Sequence, residues 1–439
     1  MVNFDLADRL ESGGIRETQA SSSPDFRLDL LHHRHAAPRS HRWRAGVPGG
    51  ALRRVRDPRG KSQSVALGPR FVHICGVAAA PSALFRTHPA LAAVLPWHPL
   101  LSGPTPVERL VLPELPADTP DLWIKRDDRS CSRYGGNKPR KLEFILGAAL
   151  ARRSERLITT GGLGTHHGLA TTILGSEAGM RTTLILVDQP LTREVQQSLL
   201  LHAAYGAKLV YGRNLPGAAA QLFRVLGTST LRMERPTYVP TGGTSRHGNL
   251  GFVAAAFELA EQVEHGDCPE PADTYIAIGS GGSLIGLAAG LVLAGLRSRL
   301  VGVLVNDVLP PSPRRILGSA GSLIDWLASL DASISSRGRA HPDLDYVKDQ
   351  LGPRYGAVTP AAREAMTLAR QAGIQLETTY TAKCLAEIVV RARSGRLRGP
   401  SLFWNTYNGV DVVAQAPRPL DAAIIPPAFQ RFLREPVDD

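Results

Sequence analysis

One stretch decides how the chain folds: Tyr134-Gly135-Gly136-Asn137-Lys138-Pro139-Arg140-Lys141-Leu142-Glu143. Apolar residues recur at helical spacing from Leu142 to Leu150, so the pattern predicts a helix that begins here, with Pro139 at its first position. Lys138 then lies at a helix N-terminus, where partial positive charge disfavours an ammonium group. A lysine with a lowered pKa can act as an amine nucleophile and form a Schiff base. The alternative is that Lys138 is only an exposed basic residue at a helix start.

Around this stretch, short apolar runs alternate with amphipathic segments. Strands are predicted at residues 122–125, 157–160, 183–187, 208–211, 238–240, 275–278, 300–305 and 401–404. Further helices are predicted at residues 166–178, 194–205, 218–226, 252–263, 284–296, 360–373 and 382–394. The alternation indicates an α/β fold of two domains, each an open, mostly parallel twisted sheet with helices on both faces. We expect a large domain over residues 84–142 and 246–430, and a small domain inserted at 143–245.

Residues 1–83 differ in composition from the rest. They contain 13 Lys and Arg against 7 Asp and Glu, so their net charge of +6 is half of the total of +12. Their Ser, Arg, Gly and His clusters are typical of a poorly ordered extension. The alternatives are a nucleic-acid-binding arm, a metal-binding His tract, or a natural start further downstream. Since the basic excess lies in this tail and not in a groove, a nucleic-acid partner is not expected.

The remaining composition is that of a soluble globular protein, with 43% hydrophobic and 21% charged residues. We find no apolar run of about 18 residues and no signal-peptide pattern, so neither a membrane span nor secretion is predicted. Four scattered cysteines without a CxxC pair argue against a zinc site or a disulfide framework and suit a reducing compartment. We therefore expect a cytoplasmic protein without a metal site, and a homodimer as the commonest default.

A glycine-rich loop, Gly279-Ser280-Gly281-Gly282-Ser283, follows one predicted strand and precedes a helix. Glycines let backbone N–H groups converge, and the helix N-terminus adds positive potential, so this geometry favours a phosphate site. It is neither a Walker loop nor the dinucleotide fingerprint, because no Gly-Lys-Ser/Thr follows and the third glycine is displaced to Gly286. The alternative is a tight turn that needs small residues.

Hydroxyl and imidazole groups follow other predicted strands or precede helices. They belong to Thr165, His166, His167, Tyr355, Tyr380 and Thr406. The alternatives are a helix cap for the threonine, solvated histidines and packing tyrosines. With Lys138 and the glycine loop, these groups suggest pyridoxal phosphate (PLP), which needs a Schiff-base lysine, a phosphate site and a partner for its ring nitrogen.

Six motifs, in order, resemble those of the PLP-dependent family of D-cysteine desulfhydrase and 1-aminocyclopropane-1-carboxylate deaminase, which shares the tryptophan synthase β-subunit-like fold. The resemblance covers about residues 90–410. The motifs are Lys125-Arg126-Asp127-Asp128, the stretch from Gly135 to Glu143, Thr241-Gly242-Gly243-Thr244 with Asn249-Leu250-Gly251-Phe252, Gly279 to Ser283, Tyr355-Gly356, and Tyr380-Thr381-Ala382-Lys383. Their common order makes the resemblance specific.

The resemblance implies roles for these residues. Lys138, next to Asn137, would hold PLP and act as base on the substrate Cα–H. The phosphate would bind Gly279, Ser280, Gly281, Gly282 and Ser283, while Thr406 would face the pyridine nitrogen. Tyr355 and Tyr380 would position the substrate and relay protons. Thr165 would act near the substrate carboxylate, and the other substrate-binding positions would be His167 and Gly243.

Three positions depart from the family pattern. His166 falls where the family has an asparagine beside the cofactor 3-hydroxyl, and Leu169 replaces an arginine. Thr381 stands where the deaminase branch has glutamate, so the sequence resembles the desulfhydrase branch more closely.

The resulting hypothesis is a PLP-dependent lyase or deaminase that acts on a small amino acid. Cα deprotonation and β-elimination, or ring-opening deamination, would yield ammonia and a 2-keto acid. A racemase or β-replacement enzyme of the same fold, and a PLP-binding protein without turnover, stay open as alternatives.

Overall fold

The structure, a computed structural model, describes residues 82–334 and 342–437, together with the backbone of two short strands, β1 (Arg54–Arg56) and β2 (Ser62–Ser64). The chain divides into two units, Arg9–Ala78 and the remainder. In the smaller unit, β1 and β2 pair antiparallel. The sequence predicts that residues 1–83 are poorly ordered and leaves alternatives for them. Except for these two strands and residues 82–83, those positions lie outside the described residues.

Two sheets form the framework of the larger unit. The six-stranded sheet contains β3 (Val107–Arg109), β4 (Leu122–Lys125), β9 (Asp273–Ile278), β10 (Arg299–Leu304), β11 (Leu344–Val347) and β12 (Ser401–Trp404). The four-stranded sheet contains β5 (Arg156–Gly162), β6 (Arg181–Val187), β7 (Lys208–Arg213) and β8 (Pro236–Val239). The strand orders are β11-β10-β9-β12-β4-β3 and β7-β6-β5-β8, and every neighbouring pair is parallel except β3 with β4.

Helices flank these sheets. They are α1 (Ala83–Thr87), α2 (Pro89–Val94), α3 (Asn137–Ala151), α4 (His166–Glu177), α5 (Arg193–Ala204), α6 (Leu215–Leu231), α7 (Arg246–Glu264), α8 (Gly282–Ala294), α9 (Pro313–Leu330), α10 (Pro360–Gln371), α11 (Thr381–Arg393) and α12 (Pro427–Gln430). Among these described helices, none has the length and apolar character needed to cross a bilayer. The mixed α/β class with mostly parallel sheets is confirmed, while the boundaries of the large and small domains stay a prediction.

The central strands of the larger sheet are buried on both faces. Tyr275 and Ile276 in β9, and Phe403 and Trp404 in β12, are at most 1% exposed. Burial on both faces is usual for parallel strands that helices cover, and it explains their nearly unbroken apolar sequence. Each such side chain contributes about 1.5–3 kcal/mol when it leaves water. The carboxyl ends of these strands, where the loops begin, are therefore held firmly.

A buried ionic network anchors the lysine stretch to this sheet. Arg140 in α3 donates to Asp127 at 2.8 Å and to Glu258 in α7 at 2.9 Å. Lys125, at the end of β4, donates to the same Glu258 at 2.6 Å, and the Trp404 indole donates to Asp127 at 2.7 Å. Opposite charges and hydrogen bonds satisfy each buried group, which a buried charge requires. The network thus joins β4, β12, α3 and α7 beneath the first turn of α3.

Several elements differ from the sequence prediction. The helix behind the lysine begins at Asn137, so Pro139 is its third residue and the prediction of the first position was wrong. The prediction also lacked the long helix α9 and the strand β11, together with the short elements α1, α2, β3 and α12. In α9, Ser312 caps the helix and Ile316, Leu323 and Leu327 are buried at helical spacing.

Candidate active site

The lysine loop requires glycine where it approaches the end of β12. Gly136, which precedes α3, has a φ of +83°. A Cβ at this position would lie 2.6 Å from the carbonyl oxygen of Thr406 and 2.8 Å from that of Tyr407. Only glycine therefore permits this approach. It places Lys138 in the first turn of α3, directly beside the loop that follows β12.

Lys138 is partly buried, and its Nζ makes no hydrogen bond to any residue that the structure describes. Burial lowers the pKa of the Lys138 amine to about 8, against the opposing effect of the Glu377 carboxylate. With this pKa, roughly a tenth of the amine is neutral at pH 7 and about half at pH 8, and the neutral form is the one that acts as nucleophile or base. Burial is the main cause that lowers the pKa values of Lys141, His166 and His167, and the charge of Lys138 lowers them further. These groups share one site.

The glycine loop meets the lysine stretch directly. Asn137 Nδ2 donates to Ser283 Oγ at 3.3 Å. Gly281 lies in the left-handed region with a φ of +87°, and α8 begins at the next residue without a side-chain cap from the described residues. The N–H groups of the first turn of α8 are therefore left for another acceptor, and the helix end favours an anion.

A third loop, the turn that follows β8, completes this part of the site. The Thr244 and Ser280 hydroxyls lie 2.7 Å apart, and Lys141 Nζ donates to the Gly242 carbonyl oxygen at 2.8 Å. Gly243, with a φ of +66°, lies between Lys141 and His167. Lys141 follows Lys138 by one helical turn, so this spacing could have indicated it from sequence.

The geometry around Gly282 fits the phosphate of PLP. A Cβ added there would lie 2.5 Å from Thr244 Oγ1, 2.6 Å from Lys141 Nζ and 2.7 Å from Asn249 Oδ1. Polar atoms thus converge on a small cradle at a helix N-terminus, with several hydroxyls and the Lys141 amino group, which a bound anion would keep protonated, as donors to that anion. Within the described ranges, no group of His, Cys, Asp and Glu is arranged to hold a metal ion.

The loop after β5 brings the threonine and the two histidines to the same site. Thr165 caps α4, because its Oγ1 accepts from Gly168 N at 3.2 Å. Its hydroxyl proton can still be donated to a ligand. The buried Tyr134 donates to the His166 carbonyl oxygen at 3.1 Å. His167 is buried against Gly243. Tyr134 was not predicted as a site residue, although it opens the lysine stretch.

The two predicted tyrosines are joined by a hydrogen bond. The Tyr355 and Tyr380 hydroxyls lie 2.6 Å apart, and the rings meet edge to face. A Cβ on Gly279 would lie 3.0 Å from Tyr380 Cε1, so this ring packs on the first residue of the glycine loop. Burial raises the pKa of both phenols, so both stay protonated at neutral pH.

The structure therefore gathers most of the predicted site residues around Lys138. Thr406 approaches the lysine loop through its backbone, and its predicted role at the ring nitrogen stays a prediction. Sequence reasoning missed Glu377, whose carboxylate faces Lys138 and both tyrosines. Its position three residues before Tyr380, near the start of a predicted helix, could have indicated it from the sequence.

Comparisons with known proteins agree with this geometry. A D-cysteine desulfhydrase from Salmonella paratyphi A is 29% identical over 328 residues, which cover 72% of this chain and 95% of the relative. One from Klebsiella pneumoniae strain 342 is 29% identical over 327 residues with the same coverage. A crystal structure of an ACC deaminase homologue is 28% identical, with a TM-score of 0.62, over 75% of this chain and 95% of that one. The model of the family "Pyridoxal-phosphate dependent enzyme" matches residues 99–404, and the chain belongs to this family.

Proposed function

We propose that the chain is a lyase or deaminase that acts on a small amino acid and releases ammonia and a 2-keto acid. The observation that carries this proposal is the contact between Asn137 and Ser283, which joins the Lys138 amine and the glycine loop in one site. The names of the relatives support D-cysteine and 1-aminocyclopropane-1-carboxylate as the first substrates to test.

Binding groups are assigned by their chemistry. The loop from Gly279 to Ser283 and the Lys141 ammonium would hold the phosphate. Asn137, His166 and Thr406 would contact the rest of the cofactor. Thr165 can donate its hydroxyl proton to a substrate carboxylate, and His167 and Gly243 would contribute to the substrate site. Bound PLP supplies an electron sink for the electron pair left at Cα when its proton is removed.

Proton transfer falls to the lysine and the tyrosine pair. With a pKa of about 8, Lys138 Nζ can accept the Cα proton and later return it at neutral pH. The phenols keep their protons, so Tyr380 Oη can donate to a leaving group while Tyr355 orients it through their hydrogen bond. Elimination then breaks the bond from Cβ to the leaving group, and water converts the product to ammonia and the keto acid.

The test is a screen of the purified protein against D- and L-amino acids, with ammonia and 2-keto acid as the measured products. Turnover of at least one small amino acid is expected, with none in Lys138→Ala and full activity in Lys208→Ala, which changes an exposed lysine on β7. Racemisation without keto acid, or product only with an added nucleophile, would replace this proposal by the racemase or β-replacement alternative. Bound PLP without any turnover would favour a binding protein.

Assembly and location are part of the same proposal. A cytoplasmic homodimer is supported by the buried, unpaired cysteines Cys131, Cys268 and Cys384 and by the frequency of twofold assemblies. Light scattering of the purified protein tests the dimer, and a single-chain mass would contradict it. The domain boundaries at residues 142 and 246 can be tested by limited proteolysis.

A further inference from the structure

Glu377 organises the turn that carries Tyr380. The residue is partly buried in the turn before α11. Its carboxylate accepts from Thr379 N at 2.7 Å, from Tyr380 N at 2.8 Å and from Thr381 N at 2.7 Å. The Thr381 hydroxyl, 3.2 Å from Oε1, accepts in turn from Glu377 N at 3.1 Å. Three successive backbone N–H groups thus converge on one side chain, which closes the N-terminus of α11 as a cap.

These partners fit the ionised form of Glu377. Three of the four groups that contact its oxygens are backbone N–H groups, which can only donate. A protonated carboxyl would need an acceptor for its proton, and a carboxylate needs none. Burial raises the pKa of Glu377, and the hydrogen bonds from the turn oppose that rise. The result is a fixed negative charge, stabilised by the first turn of α11.

The same charge faces the reacting groups. The Glu377 carboxylate interacts electrostatically with five side chains from the surrounding elements: Lys138, Tyr355, Tyr380, Lys383 and Tyr407. Lys383 is held by the Leu351 carbonyl oxygen at 2.6 Å. The three tyrosines have raised pKa values and do not titrate near neutral pH. Lys138 also faces Lys141, His166 and His167, whose pKa values are lowered.

We propose that Glu377 is a positioning residue for the reaction: its carboxylate fixes the turn that sets the Tyr380 hydroxyl against Tyr355, and it places a negative charge in the site that holds Lys138. This inference rests on the proposed function, which it deepens. It also gives Thr381 a structural role, because the Thr381 hydroxyl is engaged by Glu377 and is not left for the cofactor ring.

The experiment uses the full-length holoenzyme and Glu377→Gln, which keeps the size of the side chain and removes its charge. The absorbance band of the lysine-bound cofactor is followed against pH. Its titration midpoint is expected to fall below that of the wild type, because the charge that favours a proton on the Lys138 nitrogen is gone. In turnover, kcat should fall by about 10- to 100-fold with a smaller change in KM, since a displacement of roughly 1 Å can have that effect.

Two further variants separate positioning from loss of stability. Glu387→Gln removes a buried carboxylate from the same helix, where it accepts from Arg391 and Gln350, and should lower Tm without moving the midpoint. Glu377→Asp keeps the charge and shortens its reach, so kcat should fall while the midpoint stays close to that of the wild type. If Glu377→Gln does not fold, the kcat of Glu377→Asp decides the test.

The outcomes are distinct. An unchanged midpoint in Glu377→Gln, an equal shift in Glu387→Gln, or wild-type kcat in Glu377→Asp would overturn the role of Glu377. Absence of turnover in the wild type would instead overturn the proposed function, while the titration of the bound cofactor still tests Glu377.

Discussion

The substitution Gly282→Ala tests the phosphate cradle most directly. Gly282 is the first residue of α8, and its φ is not positive, so alanine causes no backbone strain there. The added Cβ would lie 2.5–2.7 Å from three side-chain atoms, Thr244 Oγ1, Lys141 Nζ and Asn249 Oδ1. These side chains can move aside, so the fold should persist while the space for an anion is filled.

The expected effect follows from the contacts that are displaced. Hydrogen bonds that involve charged groups contribute about 1.5–3 kcal/mol each. Displacement of the Lys141 ammonium and weakening of one neighbouring hydroxyl contact should cost about 2–4 kcal/mol, or roughly 30- to 700-fold in the Kd for PLP. The assay removes the cofactor, titrates PLP back and follows its absorbance, with Tm of the cofactor-free protein as the measure of folding.

Two other glycines provide controls for Gly282→Ala. A Cβ on Gly318, in α9, meets nothing within 4 Å, so Gly318→Ala should leave PLP binding unchanged and stabilise the helix by about 1 kcal/mol. A Cβ on Gly286 would lie 2.3 Å from the Asn249 carbonyl oxygen, so Gly286→Ala should lower Tm. Wild-type PLP affinity in Gly282→Ala would refute the assignment of the cradle.

Three further predictions concern the lysine, its ring partner and the buried network. Borohydride reduction of the holoenzyme should leave the pyridoxyl group on Lys138, and mapping of that group to another lysine would contradict the assignment. Only the neutral amine reacts with the PLP aldehyde, and the pKa of the Lys138 amine is about 8. The attachment of PLP to the cofactor-free protein should therefore become faster from pH 7 to 9. Thr406→Ala should weaken PLP binding by about 1–2 kcal/mol for one hydrogen bond, and an unchanged Kd and spectrum would count against that contact. Arg140→Met should lower the free energy of unfolding in urea by about 3–5 kcal/mol, because Asp127 and Glu258 lose a buried partner. Arg109→Met, at an exposed ion pair with Asp121, should cost less than about 1 kcal/mol, and equal losses would refute the role of the network.

The alternation of strands and helices was readable from sequence because each buried strand is an apolar run with a clear period. The strands predicted at 122–125 and 401–404 match β4 and β12 residue for residue. The position of β12 between β4 and β9 was not readable, since it depends on pairing between segments far apart in the chain. The short strand β11 has three partly buried residues followed by one buried residue, so its sequence showed no clear period.

For the site, local motifs indicated the residues that a loop presents directly, such as Lys138 and the glycine loop. Residues that act from a neighbouring element were harder to find. Glu377 has no motif of its own; its hydrogen bond to Tyr380 N is local, but its electrostatic interaction with Lys138 joins residues that are far apart in the sequence. Pro139 was assigned to the first helical position because proline favours it, whereas Gly136 allows the helix to start two residues earlier.

The late position of β12 in the chain has a consequence for biosynthesis. A ribosome completes β4 and β9 before residues 401–404 emerge, so while residues 279–400 are made these two strands lack the neighbour that pairs with both of them. Prematurely terminated chains would expose two open strand edges, which promote aggregation. Because the carbonyl oxygens of Thr406 and Tyr407 lie against Gly136, the lysine loop gains these neighbours only after the last strand has emerged.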